Sequence, residues 1–119
     1  MSTSGMCTTT GTSIYAATFA ANPSLNTVGK GVTVTPPSYM DSWGNNSIWV
    51  IQQAAGKFLA FSLSCSHQGC VVNPEGAGFK CPCHSTTFSA TGAHIQGPGS
   101  KALQCYPVCS DATGVYITL

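Results

Sequence analysis

Two short segments of the chain carry residue types that bind metals. The first is Cys65-Ser66-His67-Gln68-Gly69-Cys70, and the second is Cys81-Pro82-Cys83-His84-Ser85. Each sets a thiol beside an imidazole: Cys65 and His67 are two apart, Cys81 and His84 three apart. Thirteen residues separate His67 from Cys81, enough for a hairpin that brings the segments face to face. Together they offer two thiolates and two imidazoles. Zinc takes such a set tetrahedrally, usually with two cysteines in one segment and two histidines in another. Here both segments mix the two types. A binuclear iron–sulfur cluster accounts for the mixing, because each segment can give its thiolate to one iron and its imidazole to the other.

Strands must hold these segments in place. Residues 64–72 and 80–88 are dense in Cys, His, Gly and Pro and read as loops. Around them, short apolar runs alternate with Gly, Pro and Asn clusters. Residues 28–35 read as a strand stopped by Pro36-Pro37. Residues 47–52 and 58–62 read as two more, joined by a turn at 54–57. Residues 104–109 and 115–119 read as a closing hairpin around 111–114. No segment shows a sustained helical stripe. The fold class expected is all-β, a small antiparallel sandwich or barrel. Residues 24–119 form the domain. Residues 1–23, rich in Ser, Thr and Ala, read as an arm or linker, or as an extended segment docking on a sheet edge.

Composition excludes several function classes. Charged residues make up 6% of the 119, against about 25% in an average globular protein, and the formal net charge is +1. Nucleic-acid binding therefore has no electrostatic support. Such a surface repels itself weakly and tolerates self-association. No apolar run reaches the roughly 18 residues needed to span a bilayer. No basic start with an apolar centre marks a signal peptide.

The pattern Cys-x-His-x-Gly-Cys followed by Cys-Pro-Cys-His resembles the paired loops of Rieske proteins, particularly the high-potential type related to cytochrome bc complexes. The similarity runs over about 24–119 and continues through Phe88-Ser89-Ala90-Thr91-Gly92, Gly97-Pro98, Leu103, Tyr106 and Val108. It implies an antiparallel sandwich with a small cluster-binding subdomain of two loops. It implies one [2Fe-2S] cluster with Cys65, His67, Cys81 and His84 as ligands, and a disulfide between Cys70 and Cys83. The stretch 97–100 resembles the proline loop that covers the cluster. Thr86 matches a hydroxyl that donates to a bridging sulfide, whereas Phe88 stands where the family often has a tyrosine donating to a ligand sulfur. Rieske potentials run from roughly −150 to +300 mV. With Phe88 the potential expected is positive but below that of the tyrosine-containing type.

The resemblance implies one-electron transfer, with His67 and His84 at an exposed tip facing a redox partner protein or a quinol. The disulfide implies an oxidising compartment, periplasmic or extracellular, and hence export. The reading is a stand-alone electron carrier that catalyses nothing alone. Its rivals are a subunit or fragment of a quinol-oxidising or arsenite-oxidase-like complex, and a self-assembling protein whose clusters form a wire. Of the remaining residues, His94 reads as a surface-loop histidine, and Trp43 and Trp49 as core or sheet-face residues. Cys105 and Cys109 lie about 13 Å apart if extended, against roughly 4.4–6.8 Å for a disulfide. A bond from Cys7 to one of them is the favoured pairing.

Overall fold

A computed structural model describes residues 13–65, 70–75, 78–83, 85–97 and 101–119. Eleven strands form among them: β1 (Ile14–Thr18), β2 (Gly31–Val34), β3 (Ile48–Ala54), β4 (Lys57–Ser62), β5 (Asn73–Glu75), β6 (Gly78–Lys80), β7 (Thr87–Phe88), β8 (His94–Gln96), β9 (Cys105–Tyr106), β10 (Val108–Ser110) and β11 (Gly114–Thr118). One 3-10 turn, Pro23–Asn26, is the sole helical element among the described residues. The strands pair antiparallel in three sheets, ordered β1-β11-β10, β2-β3-β4-β9 and β5-β6-β7-β8. The all-β expectation holds.

Side chains alternate faces along a strand, and β3 and β4 use both faces. Ile48, Val50, Phe58 and Ala60 point into a first core. That core is closed from the other sheet by Ala17, Val108, Val115 and Ile117, with Leu25 beneath. Phe61 and Leu63, and beside them Trp49, point the opposite way into a second core. There the Phe79 ring meets Trp49 at 5.4 Å and Phe61 at 5.6 Å, both edge to face. Such pairs contribute about 0.5–1.5 kcal/mol each beyond area burial. The strand β4 thus ties the sandwich to the four-stranded β5–β8 unit and runs directly into the first Cys/His loop.

Two departures from the sequence reading have local causes. The strand expected at 28–35 begins only at Gly31, because residues 27–30 make a turn in which the Lys30 amide donates to Thr27 and Gly29 sits at φ +85°. The stretch 104–109 is not one strand. Cys105 and Tyr106 pair with β4, while Val108–Ser110 pair with β11. Pro107, lacking an N–H, stands where the chain passes from one sheet to the other. Ile14–Thr18 follows the second of the two readings of the N-terminal stretch: it is an extended segment on a sheet edge, paired with β11 over its whole length.

Candidate metal centre

The first loop leaves β4 through a narrow neck. The Val72 amide donates to the Leu63 carbonyl at 2.7 Å, Ser64 bridges Val71, and the Cys65 amide donates to the Cys70 carbonyl at 2.7 Å. The second loop is a tight turn. The Cys81 amide donates to Thr86 at 2.7 Å and the Ser85 amide to Cys81 at 3.1 Å, with Ser85 left-handed at φ 59°. Both necks seat a cysteine inward. Cys65 and Cys81 are outside any disulfide and have no exposure to solvent, packed in the second core with Leu63, Val72, Phe79 and Phe88.

Cys70 and Cys83 form a disulfide with Cα atoms 6.5 Å apart, which ties the two loops together. The Cys81 sulfur lies within 4.8 Å of both disulfide sulfurs. Two cysteines outside the disulfide, at the roots of two linked loops, suit an iron–sulfur cluster, since thiolate is the ligand form of cysteine. His67 and His84 lie outside the described residues. Cys105 is a free, half-buried thiol, and Cys109 is disulfide-bonded. Cys7 lies outside the described residues.

Thr86 is buried, and its backbone carbonyl accepts from the Cys81 amide. Phe88 is buried in β7, edge-on to the His94 ring with centroids 5.9 Å apart. His94 itself sits in strand β8 rather than in a loop, and its Nε2 lies 3.1 Å from the Gly97 carbonyl oxygen. Gly97 has φ +97°, and a Cβ there would come within 2.7 Å of the Thr86 Cα. The chain at Gly97 is therefore laid directly on the backbone of the second loop, with no room for a side chain. Residues 98–100 lie outside the described residues.

One site residue escaped the sequence reading. Asp41, in the connection from β2 to β3, accepts hydrogen bonds at Oδ1 from the Trp43 and Asn45 amides, at 2.9 and 3.0 Å. At Oδ2 it accepts from the Ser62 and Ser64 hydroxyls, at 2.9 and 2.5 Å. Burial pushes this carboxyl up, but the four hydrogen bonds outweigh it and hold the group below its ordinary value. Asp41 is therefore ionised at neutral pH. Tyr39 anchors the same connection, its hydroxyl 2.7 Å from that of Tyr106. Trp43 lies on this turn, about half exposed, and not in a core or on a sheet face as expected. The turn gathers its amides on Asp41 and leaves the indole outside.

The family model for the Rieske [2Fe-2S] domain matches residues 29–107. The cytochrome b6-f complex iron-sulfur subunit of Synechococcus sp. (strain JA-3-3Ab) is 36% identical over 75 residues, covering 60% of this chain and 43% of that protein. The corresponding subunit of Chlorobaculum thiosulfatiphilum is 30% identical over 94 residues, covering 77% of this chain and 52% of that protein. The chain thus spans about half the length of these relatives. The crystal structure of the cyanobacterial plasma membrane Rieske protein PetC3 from Synechocystis PCC 6803 superposes with a TM-score of 0.60 at 25% identity, covering 75% of this chain and 86% of that one. No helix among the described residues is long and apolar enough to cross a membrane.

Proposed function

Because the chain belongs to the Rieske [2Fe-2S] domain family, we propose that it carries single electrons by way of one such cluster, held by Cys65, His67, Cys81 and His84. The observation that carries this reading is the pair of fully buried cysteines outside any disulfide, Cys65 and Cys81, at the roots of two loops joined by the Cys70–Cys83 bond. When bound, the cluster takes up and gives back one electron at a time. The chain's own residues do the rest. Leu63, Val72, Phe79 and Phe88 keep water from the two thiolates. The hydroxyl of the buried Thr86 would donate to a cluster sulfur and so stabilise added negative charge. His67 and His84 form the port through which a redox partner protein or a quinol exchanges the electron.

The disulfide supports residence in an oxidising compartment, the periplasm or cell exterior. The similarity to b6-f subunits supports a second reading, in which the domain serves a quinol-oxidising complex. Purification from the native source separates the two: a free carrier elutes alone, a subunit with its complex. The electron-transfer reading itself is tested by protein-film voltammetry. One reversible one-electron wave at positive potential supports it, and a redox-silent film refutes it.

Phe88 allows a finer test. Its ring shares the second core with Cys65 and Cys81. Phe88→Tyr should raise the potential by about 20–60 mV, the worth of one added hydrogen bond for a one-electron couple. An unchanged or lower potential removes Phe88 as the reason for a potential below the tyrosine-containing type.

A further inference from the structure

We propose that Asp41 is a positioning residue for the cluster, locking the neck of the first loop and setting a fixed negative charge beside it. The inference rests on the Rieske reading above. The carboxylate reaches across from the β2–β3 connection to two hydroxyls in the last three residues before Cys65, those of Ser62 and Ser64. The three groups brace one another. The Ser64 amide donates to Ser62 Oγ at 3.0 Å, and Asn45 Nδ2 donates to Ser64 Oγ at 3.0 Å. Ser64 is also the residue that bridges Val71 across the neck. Holding Ser64 therefore fixes both sides of the loop that carries Cys65. The connection is itself held rigid, by Tyr39 on Tyr106 and by the Asp41 amide donating to the Asn45 carbonyl at 2.7 Å.

The chain has three acidic residues, Asp41, Glu75 and Asp111. Asp111 closes the β10–β11 turn, where it accepts from Thr113 and Gly114, and Glu75 is exposed on β5. Asp41 is thus the acid bonded to the neck of a cluster loop. Only partly solvated, its charge opposes the arrival of an electron nearby. Its four accepted hydrogen bonds keep it ionised.

The two effects separate experimentally. Asp41→Asn removes the charge but keeps an acceptor for the turn amides, so the reduction potential should rise. Asp41→Ala also removes the brace, so release of the cluster to a chelator should accelerate about tenfold. Ser64→Ala loosens the neck and keeps the charge, so it should speed release without raising the potential. Asp41→Asn with wild-type potential overturns the electrostatic part, and Ser64→Ala with wild-type release overturns the brace. If Asp41→Ala does not fold, these two variants still decide. A wild-type protein without a cluster would instead sink the Rieske reading, and this inference with it.

Discussion

Replacing Cys81 by alanine abolishes the cluster and leaves the sandwich folded. Cys81 is buried without exposure, and its sulfur is in no disulfide. The set offers four protein donors for two irons, so deleting a thiolate leaves one iron a ligand short. The cost to the polypeptide itself is small. One sulfur leaves the second core, worth about 1 kcal/mol, while the first core, built from Leu25, Ile48, Val50, Ile117 and their neighbours, is untouched. Visible absorption should vanish while far-ultraviolet circular dichroism stays β-like. Cys105→Ala is the control: that thiol is outside any disulfide and belongs to β9 rather than to either loop, packing on the second core from its edge, and the cluster should remain. A Cys81→Ala protein with the full visible spectrum would remove Cys81 from the ligand set.

Removing the bond between the loops should have the second largest effect. Cys70 and Cys83 are separated by 13 positions, and closing a loop of that length constrains the unfolded chain by about 3 kcal/mol. That is a large share of the 5–15 kcal/mol by which a domain is normally stable. The bond also fixes one loop against the other, so its loss acts on the folded state as well. A Cys70→Ser/Cys83→Ser protein should melt well below wild type and lose its cluster faster under oxidising conditions. Reduction of wild type by a strong thiol should reproduce both changes. Equal melting temperatures and release rates would show that packing of Leu63, Val72 and Phe79 alone holds the loops together.

Much of the site was legible because its residues are chemically rare and their spacing is specific. The Cys70–Cys83 bond joins the two loops as the resemblance implies, and the strands at 48–54 and 57–62 follow from short apolar runs around a Gly turn. Other parts carry no such signal. Asn73–Glu75 contains proline and reads as a turn, yet it pairs with β6 as an edge strand, where a proline is tolerated. The split at Pro107 is invisible to periodicity, because alternation tells which face a residue takes and not which sheet it joins. Asp41 reads as an ordinary turn residue. The Asp41-x-Trp43-Gly44-Asn45 stretch does announce an Asx turn, but the carboxylate's second oxygen finds Ser62 and Ser64 only through tertiary contact.

Counting iron and acid-labile sulfide in protein purified without oxygen, and recording the EPR spectrum after reduction, tests the central claim most directly. The account predicts two irons and two sulfides per chain, a coloured protein, and a rhombic signal from one unpaired electron. A colourless, EPR-silent protein holding a single zinc ion would contradict it.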